Sequence, residues 1–383
     1  MRKPLTITLL LLASLGPTTA ASPWVTTVGP QPLAGPAQAE PARSEKIERY
    51  RARFGRKRPL IVTVGENSGT ELTDFVVPHG ILAQADIADL VTVGTRPGVM
   101  TMRPALHLQP DTTLASFDER YPEGADYVIV PAVVKSDDRA LLVWLTGQSA
   151  KGGTIVSICD GALVVANAGL MKGHRATAHW ATLGYRRKHY PEVRWVENRR
   201  YVADGRIVSS AGISAAIPTS LALVEAIAGQ EKAASVARNI AVSDWSTRHD
   251  SRVFAPAFGR NLTAFATTYA FNPLVHRKEA VGVPIAAGVD EIALAVTADA
   301  YSRTGRSAAF SVAASRHPVL TLHGLTFLPD RVRGERASLD RIVPLPKLKA
   351  GSQLDTALAA VARDYGRLTA FGVALDFEYP GFQ

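Results

Sequence analysis

The sequence predicts an α/β protein, a parallel sheet with helices on both faces. Three observations carry this. From Pro59 onward, short apolar β-branched runs alternate with segments of helical spacing. The runs are apolar throughout, as in strands buried on both faces. One of them, Thr154 to Ile158, leads straight into a tight turn and an apolar helix. Strands separated by helices pair in parallel, and ligands then bind beyond the carboxyl ends of the strands.

The elements follow in order. Leu60 to Val64 is the first strand, ended by Gly65, and Leu72 to Ala85 has helical spacing. Leu90 to Val93 and Tyr127 to Val130 are the next strands, the latter ended by Pro131. Arg139 to Ala150 is a helix, Thr154 to Ile158 a central strand, and Leu163 to Leu170 an apolar helix. The unit is expected over residues 58–235.

Composition bounds the function. The chain has 383 residues, 46% apolar and 20% charged, ordinary globular usage that suits two domains or one large one. A single cysteine excludes an intrachain disulfide and a cysteine-rich zinc site, and the nine histidines contain no H-E-x-x-H pair. No metal or cofactor is expected. No P-loop is present. Arg2 and Lys3, the apolar run Leu5 to Leu15 and the small residues Thr18 to Ala21 form an export signal too short to span a bilayer. Residues 1–21 are therefore expected to be removed and the protein to be periplasmic or secreted, without a stable membrane span. Residues 22–57 read as a linker, rich in Pro and Ala and then basic. The net charge of +9 clusters at Arg43 to Arg58 and Arg186 to Lys188, but no DNA-reading module accompanies it, so nucleic acid is not an expected partner.

The junction after Ile158 holds the chemistry. Cys159-Asp160-Gly161-Ala162 places a thiol on a sharp strand-to-helix turn, at a helix N-terminus that favours a thiolate. Spacing alone leaves two readings, a buried structural cysteine and a nucleophile.

The surrounding residues extend the pattern. Cys159 to Leu163 continues through Ala166 to Gly173 and Ala176-Thr177-Ala178-His179-Trp180, with Asp204 to Ala215 downstream. This resembles the ThiJ/PfpI superfamily, in particular its branch of isocyanide hydratase and the sensor halves of AraC-type regulators. The resemblance covers about residues 58–235. It implies a flavodoxin-like fold similar to class I glutamine amidotransferases. It also implies Cys159 as nucleophile and Asp74, four residues before Pro78, as the facing acid, with Glu66 and Glu71 as weaker candidates. His179 is the basic partner or a structural cap stacked on Trp180. Oxyanion donors would be the amides of Asp160 and Ala132, and Gly161, Thr177, Trp180 and Gly212 would line the pocket. Pro131-Ala132-Val133 departs from the family's Pro-Gly-Gly, and Cβ atoms there restrict the positive-φ geometry of a second donor. Pro218 is a second departure, standing where the branch often has an acid.

Residues 236–277 are expected to connect the unit to a degenerate half-repeat of the same kind over residues 278–383. Leu325 to Asp330 resembles Leu106 to Asp111, with Pro329 and Pro110 separated by 219 positions (329 − 110). The half-repeat has no cysteine, and Leu354 to Phe377 is expected to be helical. It would act as a packing partner in place of a dimer's second subunit, so the alternatives are a homodimer and an intramolecular pseudo-dimer. Two functions follow from the resemblance. One is a cysteine-dependent hydratase or amidase acting on a small C–N or carbonyl electrophile. The other is a non-enzymatic small-ligand sensor without a DNA-binding domain.

Overall fold

Leu60–Gly65 is buried along its whole length because it is an interior strand of a seven-stranded sheet. It pairs in parallel with Asp89–Gly94 on one side and Tyr127–Val130 on the other. Thr112–Thr113 closes one edge. Thr154–Ser157 and Ile207–Ser210 extend the other in parallel, and Tyr201–Asp204 ends it antiparallel. The computed structural model describes residues 45–335 and 339–382, so the expected signal and most of the linker lie outside the described residues.

The alternation of side chains across the pleat divides the core in two. Ile61 faces a cluster with the helices Leu72–Ala85, Ala216–Ala228 and Gln230–Asn239. Leu60, Val62 and Val64 face another with Arg139–Ala150 and Gly161–Asn167. Pro218 is the third residue of its helix, where the backbone N–H has no intrahelical partner to lose.

The expected half-repeat is a second, abbreviated copy. Glu279–Pro284, Ser307–Ala313, Arg331–Val332 and Arg341–Ile342 form a parallel sheet in the order of Leu60–Gly65, Asp89–Gly94, Thr112–Thr113 and Tyr127–Val130. The strand starts are offset by 219 for two of the pairs (279 − 60, 331 − 112) and by 218 and 214 for the others (307 − 89, 341 − 127). Local chemistry repeats with it. Asp111 Oδ2 accepts from the amide and hydroxyl of Thr92, and Asp330 Oδ2 from those of Ser311. His107–Gln109 pairs antiparallel with its own counterpart, matching His107 to Leu328, Leu108 to Phe327 and Gln109 to Thr326. Those pairs are symmetric about Leu108 and Phe327, as an isologous two-fold contact requires. The helices Leu72–Ala85 and Glu291–Ser302 pack on each other across the same axis.

The copy resumes at its C-terminal helices. Gln353–Tyr365, Gly366 and Arg367–Asp376 match Ala216–Ala228, Gly229 and Gln230–Asn239 in length, with both glycines near φ 90°. The stretch from Leu354 to Phe377 is helical as expected, in two helices broken where Gly366 takes a conformation that side chains resist. The offset here is 137 (353 − 216), so the second copy lacks about 82 residues (219 − 137), the stretch that in the first copy carries the cysteine turn. The contacts remain reciprocal. The Gly351 amide donates to Ile240 O, and the Ser214 amide to Phe377 O.

The N-terminal boundary also differs from expectation. Residues 45–57 are docked rather than a free linker. Glu45 pairs with Arg175 in the interior, and Arg53 and Arg56 both hold the buried Asp126. Among the described residues no helix is long and apolar enough to cross a membrane.

Candidate functional site

Cys159 sits between Thr154–Ser157 and Gly161–Asn167 with φ 55°, a left-handed conformation that a side-chain-bearing residue keeps only under constraint. Two contacts supply it. The Cys159 amide donates to Ser210 Oγ at 3.2 Å. The helix start presses on the neighbouring strand so closely that a Cβ on Gly161 would lie 1.9 Å from Val130 O. Cys159 is 6% exposed. The Asp160 amide donates toward the sulfur.

Asp74 lies in the first turn of Leu72–Ala85, fully buried. Its Oδ2 accepts from the Ala132 amide at 3.1 Å, while Oδ1 is buried without a hydrogen-bond partner. Burial raises its pKa from 3.8 to about 7, against the Ala132 hydrogen bond and Arg303. The thiol of Cys159 is pushed well above its usual range, first by burial and then by Asp74, Asp160 and Glu71. This reverses the expectation of an acidified thiol. Burial and the neighbouring carboxylates outweigh the Asp160 amide.

Ala132 also differs from expectation. Its amide is committed to Asp74, and neither Ala132 nor Val133 takes a positive φ. The Asp160 amide remains as the backbone donor directed at the reacting centre. His179 is held at both ring nitrogens: Nδ1 accepts from the Ala181 amide at 3.3 Å and Nε2 donates to Asp376 O at 2.9 Å. It caps the turn Trp180–Thr182, with its ring 5.4 Å from that of Trp180. Gly161 seats the elbow, and Thr177 donates its amide to Ser209 Oγ. Gly212 lets Glu378 and His179 approach, since a Cβ there would meet Glu378 Cγ at 2.6 Å. Glu66 is buried and bonded to Ser68, whereas Glu71 caps the helix through the Asp74 amide at 2.5 Å.

The second copy supplies groups that sequence reasoning missed. Arg303 joins Glu71 at 2.8 Å, Asp299 at 2.5 Å and Asp376 at 2.5 Å, and the Thr73 hydroxyl lies between Glu71 and Asp299. Glu71 is nevertheless raised well above the usual carboxylate range, by burial and then by Asp74 and Asp299. Glu378, with φ 51°, reaches back over the elbow. Its carboxylate accepts from the Trp180 amide at 2.6 Å and pairs with His249 at 2.7 Å. Behind the thiol, Asp160 accepts from the Thr182 hydroxyl at 2.6 Å, and the buried Arg186 donates to His179 O. The one available signal was the Asp299–Arg303 spacing of four on an otherwise apolar helix.

Residues 60–226 match the DJ-1/PfpI family. The isonitrile hydratase of Pseudomonas putida is 29% identical over 165 residues, covering 42% of this chain and 68% of that one. The HTH-type transcriptional regulator CdhR of Pseudomonas aeruginosa is 32% identical over 111 residues, 29% of this chain and 33% of the regulator. The crystal structure of Drosophila melanogaster DJ-1beta superposes with a TM-score of 0.45 at 22% identity, over 49% of this chain and all of that one.

Proposed function

Because residues 60–226 are a DJ-1/PfpI family domain, we propose that the protein is a cysteine-dependent hydratase acting on a small electrophile with a carbon–nitrogen multiple bond. The observation that carries this reading is the unpartnered, buried Oδ1 of Asp74, whose carboxyl lies within electrostatic reach of the thiol of a strained elbow. An unsatisfied buried acceptor is costly, and a substrate or proton-transfer partner relieves it. Similarity to an isonitrile hydratase favours the same substrate class.

The thiol proton is held tightly, so attack is coupled to its removal. As the sulfur bonds to the substrate carbon, the S–H proton passes to Asp74 and then to the substrate atom that gains the electron pair. The product is a thioimidate. Water adds to its carbon, the C–S bond breaks, and the sulfur recovers a proton through Asp74. The balance is substrate plus water giving an amide. A pKa of about 7 suits Asp74 to accept and return a proton near neutrality. The Asp160 amide stabilises charge on sulfur, and Glu71 and Arg303 fix the Asp74 backbone and its electrostatic surroundings.

A second reading, a ligand sensor with an inert thiol, is favoured by the commitment of the Ala132 amide and by the raised thiol pKa. The proposal includes export, which rests on the pattern of residues 1–21; N-terminal sequencing of the secreted protein tests it. Function is tested by assaying small isocyanides and nitriles for hydration with wild type, Cys159→Ala and Asp74→Asn. Turnover lost in both variants supports the enzyme. Saturable binding without turnover, retained in Cys159→Ala, supports the sensor.

A further inference from the structure

The segment between the two copies contains a helix with reversed polarity. Residues 262–275 form one continuous helix with a widened π stretch at Ala266–Phe271. Its inward side carries polar residues beside Ala264 and the half-buried Phe265, which packs on Trp180, and Asn261 stands at its N-terminus. Asn261, Thr268 and Asn272 are buried, and all three are bonded. Asn261 Nδ2 donates to Val253 O and Ala255 O, the Thr268 hydroxyl to Thr369 O, and Asn272 Nδ2 to Thr304 O and Thr369 Oγ1. Packing fixes this orientation. A Cβ on Gly372 would lie 2.1 Å from Thr268 Oγ1, and one on Gly305 2.3 Å from Thr268 O. Rolling the helix to bury its apolar side would break these bonds and drive bulk into those contacts.

The outward face is therefore apolar by construction. Phe258 is 95% exposed and Leu274 83%, with Leu262, Phe271 and Val275 also exposed. Exposed large side chains that cluster on one element mark an interaction surface. The segment's own charges are all positive. No Asp or Glu occurs from Ser251 to Lys278, while Arg252, Arg260, Arg277 and Lys278 stand at the two ends. Arg252 and Arg277 each meet an acid from beyond the segment or at its edge, Asp250 and Asp340. Arg260 donates to the carbonyls of Arg252 and Ala255, which leaves its charge undiminished. Phenylalanine and leucine on one face with arginine and lysine beside them is the chemistry of a helix lying in a membrane interface.

We propose that this face docks the protein on an anionic lipid bilayer. The helix lies along the surface with Phe258, Phe271 and Leu274 in the acyl boundary and the cations at the headgroups. The inward side of the helix touches the site's surroundings through Phe265 on Trp180, but the substituted side chains Phe271, Leu274 and Arg260 are exposed and make no bond to Cys159 or Asp74 described above.

The test is vesicle co-sedimentation of the mature full-length chain. Vesicles are phosphatidylcholine alone or with about one third phosphatidylglycerol, at salt from about 0.05 to about 0.5 M. Expected is binding to the anionic vesicles that weakens with salt, at least tenfold reduced in a Phe271→Ser/Leu274→Ser variant and reduced in Arg260→Glu. Both substitutions are at exposed positions, and circular dichroism with an unchanged melting temperature confirms that the variants are folded. Absence of binding to anionic vesicles, or equal binding by wild type and variants, overturns the proposal. So does a concentration-dependent dimer in light scattering that disappears in Phe271→Ser/Leu274→Ser, which would assign the face to a second copy.

Discussion

Replacing Asp74 by Asn removes a charge that the fold disfavours. The carboxyl is fully buried, and its pKa stands at about 7 against an ordinary 3.8. An acid whose folded pKa is raised binds its proton more tightly in the folded chain. Stability is therefore greatest below pH 4 or so, falls as pH rises toward 7, and levels off above it. At about 1.4 kcal/mol for each tenfold change in proton affinity, the loss is about 4 kcal/mol. Asparagine mimics the protonated acid: its oxygen accepts from Ala132 and its amide occupies the place of the unpartnered Oδ1. Urea unfolding of both proteins at several pH values measures the difference. Asp74→Asn should be the more stable at pH 8, with the gap widening by about 3 kcal/mol between pH 5 and pH 8. Relief of Glu71, raised partly by Asp74, acts in the same direction. A gap that does not change with pH, or a less stable variant at pH 8, refutes the assignment of Asp74 as a buried acid titrating near neutrality. The same variant is expected to lose hydration activity, so stability and turnover would move in opposite directions.

Three further outcomes are expected. Cys159 should react with iodoacetamide more slowly than free cysteine at pH 7 and accelerate only well into the alkaline range; labelling at or above the free-cysteine rate would contradict its environment of burial and carboxylates. Gly161→Ala must move the elbow away from Val130 O, and chemical denaturation should show a loss of about 3 kcal/mol or no folded protein. Arg303→Leu leaves Glu71, Asp299 and Asp376 uncompensated and should cost about 3–5 kcal/mol near neutral pH. Burial works against the ionised form of Asp376, but Arg303, with His179 and Tyr269, outweighs it and holds that group low. The Arg303→Leu penalty should accordingly shrink in acid as Asp376 takes up its proton; a loss under 1 kcal/mol at every pH would show the network to be dispensable.

The central strands were legible because Leu60 to Val64, Tyr127 to Val130 and Thr154 to Ile158 are apolar on both faces. The elbow was legible because a thiol followed by Asp-Gly-Ala joins a strand to a helix. Half of the internal repeat was legible too, through Pro110 and Pro329. Its helical half was not, because the missing stretch moves the offset from 219 to 137, and residues such as Thr219 and Thr356, Val224 and Val361, and Gly229 and Gly366 line up only at the second spacing. Docking of residues 45–57 depends on Asp126, some seventy positions away, and a basic, polar segment carries no local sign of it. His179 showed its residue type and not its bonds: capping Ala181 and meeting Asp376 O are facts of the third dimension. Arg303 and Glu378 enter the site from the other copy, so no motif around Cys159 could announce them.

Reciprocal contact between two copies joined in one chain has a consequence for dilution. Two separate subunits complete each other's sites only at concentrations above their dissociation constant. Here the second copy is tethered, and its effective concentration is set by the connecting segment rather than by the amount of protein. Arg303 and Glu378 therefore stay beside the elbow however dilute the solution becomes. The tether also removes a symmetry constraint. In a homodimer, a glutamate at the turn after the last helix would appear twice. In this chain the two equivalent turn positions, Ala241 and Glu378, both have positive φ but carry different side chains. Only Glu378 faces a site that contains a thiol, and the other half of the pair is free to be alanine.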